Sequence, residues 1–200
     1  GEVAVIAMGK LGGFEMTAAS DLDLILIYKA DPAASSIGCE KGLSTSHYYA
    51  RLTQRLITAL SAQTTEGILY ETDFRLRPSG NKGPIAISIE RFIDYQATEA
   101  WTWEHMALTR ARVIASSKDF NKVVEEAIHD VLTRPRDSLK LTNDILSMRQ
   151  RLAFEKNSKN LWELKQTAGG IVDIEFITQY LLLLNGARHH NIFSTSITAA

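Results

Sequence analysis

Residues 9–28, GKLGGFEMTAASDLDLILIY, decide the fold. The apolar residues 3–7 before them predict a buried strand, the paired glycines predict a break with one short helical turn, and residues 21–28 predict a second strand. Because side chains alternate across a strand, we expect Asp21 and Asp23 on one face, about 6 to 7 Å apart. Two carboxylates this close repel each other unless a cation lies between them. The pattern therefore predicts a site for a cation that prefers oxygen ligands, Mg²⁺ before any other.

The composition is that of a globular protein with enough apolar residues for a core. The chain has 200 residues, of which 45% are hydrophobic. Its formal net charge of −1, from 22 basic and 23 acidic residues, argues against general affinity for nucleic acid or an anionic membrane. No apolar run reaches the roughly 18 residues of a membrane span, and the single cysteine, Cys39, fits a reducing cytosol. We expect a cytoplasmic protein without a nucleic-acid or membrane partner, and a fragment of a longer polypeptide.

A second stretch, residues 68–78 (ILYETDFRLRP), carries charged residues in alternation. The pattern predicts a strand with Asp73, Arg75 and Arg77 on one face. A solvated edge strand would explain this charged face equally well. However, two acids that bind a catalytic metal are commonly joined by a third from a neighbouring strand. Asp73 is therefore the candidate third ligand, and the two arginines would face the phosphates of a nucleotide.

The remaining periodicities predict further helices and one more strand. We expect a helix over 43–62, a strand over 84–87, one long helix or two abutting ones over 90–113 with Ser88 as N-cap, and helices over 119–132, 137–154 and 171–184. The alternating pattern ends near residue 117. The sequence thus predicts an α+β catalytic domain over 1–117 and a helical bundle over 118–200 that is incomplete at its C-terminus.

Within the predicted 90–113 helix, the large and charged side chains have two interpretations. Trp101 and Trp103 could sandwich an adenine ring, but aromatic residues on such a helix favour a core position. Glu104, Arg110 and Arg112 favour a salt-bridged helix over a catalytic set.

Residues 164–176, LKQTAGGIVDIEF, place paired glycines before a helix. The exposed amides of such a helix start attract phosphate or carboxylate, and Lys165 adds a positive charge. Asp173 and Glu175 fall in the first turns of the helix. There they could reach a nucleotide or metal, or simply offset the helix dipole.

This pattern resembles the nucleotidyltransferase fold shared with DNA polymerase β. Its features are paired glycines, two carboxylates on one strand and a third on another. The fuller strings resemble the bifunctional glutamine synthetase adenylyltransferase family, in the same order and over nearly the whole chain. These strings are Gly9-Lys10-Leu11-Gly12-Gly13-x-Glu15, Ser20-Asp21-Leu22-Asp23-Leu24, Asp73-x-Arg75-Leu76-Arg77-Pro78, Trp103-Glu104 with Ala111-Arg112, and Lys165 with Gly169-Gly170-Ile171-x-Asp173-Ile174-Glu175-Phe176.

The resemblance implies a function. Members of this family carry two copies of such a unit: the N-terminal copy removes AMP from glutamine synthetase by phosphorolysis, and the C-terminal copy adds AMP from ATP to a tyrosine. Residues 75–80 and 99–105 resemble the C-terminal copy. The implied activity is AMP transfer to glutamine synthetase, in a longer enzyme regulated by a PII-type signalling protein. The adenylyl-removing half and a non-catalytic nucleotide-binding module are the alternatives.

The resemblance also implies roles for individual residues. Three carboxylates would hold two Mg²⁺ ions, one lowering the pKa of the tyrosine hydroxyl and the other neutralising the leaving pyrophosphate. The metal ligands are Asp21, Asp23 and Asp73, and the nucleotide-binding residues are Gly12, Gly13, Ser20, Arg75, Arg77, Lys165, Asp173 and Glu175. Residues 17–19 depart from the family pattern, which is often more aromatic or serine-rich there.

Overall fold

The computed structural model describes residues 1–37, 42–68, 70–117, 119–155 and 164–197, so Cys39 and Leu69 lie outside the described residues. The strands are β1 (Glu2–Ala7), β2 (Leu22–Lys29), β3 (Thr72–Asp73), β4 (Ala86–Ser88) and β5 (Arg112–Ser116). The helices are α1 (Gly9–Gly12), α2 (Thr45–Leu60), α3 (Ile89–Thr98), α4 (Thr102–Leu108), α5 (Phe120–Leu132), α6 (Ser138–Glu155) and α7 (Ile171–Asn185), with 3₁₀ turns at Gly80–Lys82 and His190–Ile192.

The strands form one mixed sheet in which β2 is central. The order is β3-β2-β1-β5, and β4 also pairs with β2. β1 runs antiparallel to β2 and β5, whereas β3 and β4 run parallel to β2. β3 pairs with the start of β2 and β4 with its end. The apolar run Leu24 to Ile27 is at most 2% exposed, which explains why it is uniformly apolar rather than alternating.

The buried core joins the sheet to the later helices. One cluster contains Ile6 of β1, Phe92 of α3, Phe120 of α5 and Leu183 of α7. This cluster is continuous across residue 117, and the division of the chain into two domains stays a prediction. None of the helices in the described ranges is both long and apolar enough to cross a membrane.

Most predicted elements are confirmed, but two strands differ from expectation. The predicted strand over 68–78 is only Thr72–Asp73 long. It ends there because the chain turns directly after it: the Arg77 amide donates to the Phe74 carbonyl at 3.4 Å and the Gly80 amide to the Arg77 carbonyl at 2.8 Å. Ser79 and Gly80 continue the turn at φ +60° and +52°. The expectation that Arg75 and Arg77 share a strand face with Asp73 was therefore wrong.

The long helix predicted over 90–113 consists of α3 and α4, and β5 follows them. Ser88 caps α3 as expected, accepting a hydrogen bond from the Arg91 amide. Residues 112–113 belong to β5, which pairs with β1 at the edge of the sheet, Val113 opposite Ile6. This strand was missed because its five residues carry no clear alternation between buried and exposed positions.

Candidate functional site

The carboxylates predicted to act together meet where β2 begins. Asp23 lies directly opposite Asp73 in the parallel pairing of β2 and β3, and neighbouring strands lie about 4.8 Å apart. Asp21 immediately precedes β2. Asp21 and Asp73 both line one cavity of about 420 Å³. The fold thus gathers side chains that are far apart in the sequence at one end of the central strand.

Asp23 lies in an unfavourable environment for a negative charge. Burial, followed by the charges of Asp73 and Asp21, raises the pKa of Asp23 to about 6. The positive charges of Arg75 and Arg110 offset only part of this shift. A position where burial and two acids disfavour a third carboxylate favours either a proton or a bound cation.

Asp73 is engaged by a neighbouring arginine. Both of its oxygens accept hydrogen bonds from Arg75, from the backbone amide at 2.7 Å and from Nε at 2.7 Å. These bonds hold the pKa of Asp73 below its usual range. In this arrangement no group of three or more His, Cys, Asp or Glu side chains among the described residues could hold a metal ion.

The donor set nevertheless fits Mg²⁺ chemically. Asp21, Asp23 and Asp73 offer only oxygen ligands, which hard cations prefer. Burial and then the negative charges of Asp73 and Asp21 raise the pKa of Asp23, so a bound cation would favour its ionised form. The side chain of Arg75 is 71% exposed, so it can rotate into solvent and release Asp73.

Arg77 differs from Arg75 because its guanidinium is committed to the backbone. It donates to the carbonyls of Phe74 at 2.6 Å and Pro84 at 3.1 Å. Burial lowers the pKa of Arg77. Its observed contacts therefore close the loop that forms one wall of the 420 Å³ cavity.

The glycine pair allows a close approach between two backbone segments. A Cβ on Gly12 would lie 1.7 Å from the Arg110 carbonyl oxygen, and a Cβ on Gly13 would lie 2.8 Å from Arg110 Nη2. The amides of Gly12 and Gly13 donate to the carbonyls of Met8 and Gly9. These contacts give the pair a packing function that the sequence did not indicate.

Ser20 has a similar local function. It is buried, its hydroxyl accepts a hydrogen bond from the Thr17 amide at 3.0 Å, and it lies 2.9 Å from Thr17 Oγ1. Ser20 therefore fixes the turn that leads into Asp21.

Gly9 contacts the predicted metal site, although sequence reasoning did not assign it a role. Its φ is +52°, and a Cβ there would lie 2.6 Å from Asp23 Oδ2. Only glycine combines this backbone conformation with so close an approach to a carboxylate. The available signal was a third glycine just before the pair.

Arg110 forms a buried network, whereas the sequence favoured a salt-bridged helix for this residue. It pairs with Glu15 of the glycine-rich turn, residues 9–15. It also pairs with Glu175 of α7 at 3.3 Å. Arg110 is 5% exposed. Its positive charge offsets part of the rise in the pKa of Asp23 that burial, Asp73 and Asp21 cause. The predicted salt bridge with Glu104 is wrong, because Glu104 accepts hydrogen bonds from the Tyr95 hydroxyl and the Trp101 amide.

Arg112 supports the same turn from β5. Its guanidinium donates to the carbonyls of Leu11 at 2.9 Å and Gly12 at 3.1 Å. It also lies 3.7 Å from the centre of the Phe14 ring, a cation–π contact. The glycine-rich turn is therefore held by two arginines of the 110–112 segment.

The predicted site residues at the start of α7 have protein partners. Asp173 pairs with Arg149 of α6 and accepts from the Gly169 amide at 2.6 Å, and both contacts lower its pKa, Arg149 first. Glu175 reaches the glycine-rich turn through Arg110. The carbonyl of Lys165 accepts from the Val172 amide at 3.1 Å. Among these three, Glu175 has a contact that leads to the carboxylate site.

The tryptophans are not core residues, so that expectation was wrong. Trp101 is 69% exposed and Trp103 is 38% exposed. Both line a surface cavity of about 380 Å³ together with Met148 and Arg151 of α6. Trp101 lies just before α4, at its N-cap position.

Comparisons with known proteins identify the family of the chain. A sequence model of the family glutamate-ammonia ligase adenylyltransferase matches residues 1–127. Proteins named bifunctional glutamine synthetase adenylyltransferase/adenylyl-removing enzyme are 52% identical over 195 residues in Bradyrhizobium diazoefficiens (98% of this chain, 20% of the relative) and 56% identical over 182 residues in Brucella suis (91% and 18%). The chain therefore spans about a fifth of the length of these relatives. By family match and identity, the chain belongs to the glutamate-ammonia ligase adenylyltransferase family.

Proposed function

We propose that this chain is a catalytic unit that transfers AMP from ATP to a tyrosine of glutamine synthetase. The observation that carries the proposal is the pairing of Asp23 with Asp73 across β2 and β3, with Asp21 at the same strand end. Adenylyl transfer places negative charge on the phosphates of ATP and on the leaving pyrophosphate. A cation held by a cluster of carboxylates would neutralise this charge. The names of the relatives supply the substrate.

Two Mg²⁺ ions would be held by Asp21, Asp23 and Asp73. When bound, Mg²⁺ would lower the pKa of the attacking hydroxyl and neutralise the departing pyrophosphate. The exposed Arg75 would exchange Asp73 for a phosphate oxygen, with which a guanidinium makes paired hydrogen bonds.

The remaining predicted site residues would shape the nucleotide cleft. The glycine-rich turn is fixed by Gly12, Gly13 and Ser20. Its backbone could therefore lie against the β- and γ-phosphates of ATP. Arg77 holds the loop that forms one wall of the 420 Å³ cavity at the carboxylates. The nucleotide cleft would be closed from the side of α7 by Lys165, Asp173 and Glu175. Of these, Glu175 is positioned by its ion pair with Arg110.

The test mixes the purified chain with unmodified glutamine synthetase, Mg²⁺ and ATP labelled at the α-phosphate. We expect the label on a tyrosine of the synthetase and none with Asp21→Asn, which should keep the fold because Asp21 is exposed. A well-folded Asp21→Asn variant with full activity would overturn the metal assignment. Asp130→Asn on the exposed face of α5 is the matched control, and it should leave transfer unchanged.

The adenylyl-removing reaction is the second candidate, because the relatives' names include both activities. The same carboxylates would serve phosphorolysis. Adenylylated glutamine synthetase incubated with the chain and phosphate would then release ADP. Resemblance of residues 75–80 and 99–105 to the adenylylating copy favours the first reaction. A PII-type regulator would act on the longer protein, and a chain with neither activity nor Mg²⁺-dependent ATP binding would be a non-catalytic module.

A further inference from the structure

A second polar cavity lies at the junction of α3, α4 and the α5–α6 connection. Its volume is about 330 Å³, and it shares no lining residue with the cavity at the carboxylates. Its walls carry Arg134, Arg136, Lys140, His105 and Gln96. Basic residues from two helices and a loop therefore line one surface cavity.

The basic residues of this cavity outnumber its acidic residues. Among the described residues, no carboxylate forms an ion pair with Arg134, Arg136 or Lys140. The wall holds two acids against these three cations, and both accept hydrogen bonds from neutral donors: Asp137 from the Lys140 amide at 2.8 Å, and Asp144 from the Thr102 hydroxyl at 2.6 Å.

Within the described part of the chain, both arginines bond to uncharged groups. Arg134 donates to the Gln96 carbonyl at 3.2 Å, and Arg136 donates to the Val131 carbonyl at 2.8 Å and to His105 Nδ1 at 2.9 Å. Since His105 Nδ1 accepts this bond, His105 is neutral and Nε2 donates to the Gln96 carbonyl. The cavity therefore keeps a net positive charge.

Two buried polar atoms at the cavity have no hydrogen-bond partner among the residues that the structure describes. They are Nε of Arg136 and Oε1 of Gln96, whose residue is only 4% exposed. Capping of helix ends by arginine explains the bonds to the Gln96 and Val131 carbonyls. It explains neither the excess of positive charge in the wall nor the unpaired atoms, because buried polar groups are normally satisfied.

We propose that this cavity binds a small molecule through an oxyanion, a phosphate or carboxylate group held by Arg134, Arg136 and Lys140. Paired guanidinium groups recognise such planar or tetrahedral oxyanions by forked hydrogen bonds. A hydroxyl or amide donor on the same molecule would satisfy Gln96 Oε1. The site is independent of the adenylyl-transfer proposal, because it uses none of the carboxylate-site residues.

The test records ¹H–¹⁵N and His105 ring resonances of the full chain during titration with inorganic phosphate and, separately, with acetate, at constant ionic strength in chloride. We expect saturable shifts at Gln96, His105 and Arg136, and the stronger of the two anions identifies the class of ligand. Arg136→Gln should weaken binding about tenfold, the effect of one lost charged hydrogen bond. Lys122→Gln, which removes an exposed charge from α5 outside the cavity, should leave the affinity unchanged.

Because Arg136 is half-buried and its loss could disturb folding, Lys140→Gln provides a second variant with an exposed side chain. We expect several-fold weaker binding in this variant. No saturable shift with either anion, or equal weakening by Lys122→Gln and Lys140→Gln, would overturn the proposal. None of these readouts requires catalytic activity, so an inactive chain would not affect the result.

Discussion

Asp23 lies directly opposite Asp73 in the parallel pairing of β2 with β3. Like charges that face each other across a sheet are destabilising, and Asp21 adds a further negative charge that helps to raise the pKa of Asp23. No side-chain hydrogen bond to Asp23 compensates for this repulsion within the described residues. The central strand therefore begins at a point that is suited to a cation rather than to sheet stability.

Replacing Asp23 with Asn should separate function from stability. We expect Asp23→Asn to abolish AMP transfer while stabilising the metal-free protein at pH 7 by about 0.5–1 kcal/mol, because it removes like-charge repulsion. Urea denaturation with chelator present measures the stability, and label transfer measures the activity. Asp130→Asn is the control for loss of an exposed charge. A destabilised or active Asp23→Asn variant would contradict the proposed site.

Binding of Mg²⁺ should depend on the protonation of Asp23. Burial, Asp73 and Asp21 raise the pKa of Asp23 to about 6, and a carboxylate must be ionised to bind a metal. The affinity for Mg²⁺ should therefore fall as the pH decreases below about 6, approaching tenfold per pH unit. Calorimetric titration between about pH 5 and pH 7.5 measures this dependence. Asp23→Asn should lose it, and an affinity that stays constant over the same range in the wild-type chain would disprove it.

Local periodicity predicted the elements that position the site, whereas long-range contacts decided its details. The uniformly apolar run of β2 and the helical spacing of α5, α6 and α7 are local signals, and these elements were predicted correctly. The end of β3 depends on Arg77, which bonds to backbone carbonyls of Gly83 and Pro84 across a loop. The partners of Arg110 lie 95 and 65 residues away in the sequence. No pattern within one element encodes such ion pairs.

Arg110 should be essential for holding the glycine-rich turn against α7. Arg110→Gln would leave Glu15 and Glu175 without their cation, and breaking such a network should destabilise the chain by about 3 kcal/mol. Arg110→Lys keeps the charge but cannot donate in two directions, so we expect a smaller loss. Urea denaturation of both variants measures the difference. Equal stability of Arg110→Gln and the wild-type chain would show that the network is not stabilising.

His105 should make the protein sensitive to mild acid. Burial, then Arg136, lowers the pKa of His105 from 6.5 to about 4. The unfolded chain therefore binds a proton more readily than the folded chain between these values, so stability is complete above pH 6.5 and is lost as the pH falls towards 4. Since His105 is partly exposed, we expect about 1–2 kcal/mol of this dependence. His105→Gln should remove that contribution from denaturation curves recorded at several pH values, and an unchanged pH dependence would contradict the assignment.

Gly9 should matter more for metal binding than for the backbone. Gly9 has a φ of +52° and Gly67 a φ of +98°, so alanine at either position forces a left-handed conformation and should cost about 1 kcal/mol. However, a Cβ at Gly9 would lie 2.6 Å from Asp23 Oδ2, whereas a Cβ at Gly67 would have nothing within 4 Å. Gly9→Ala should therefore displace the Asp23 carboxylate and weaken Mg²⁺ binding by about tenfold or more, while Gly67→Ala should leave it unchanged. Calorimetry on both variants tests this directly, because equal losses of affinity would mean that backbone strain, and not contact with Asp23, explains the effect of Gly9.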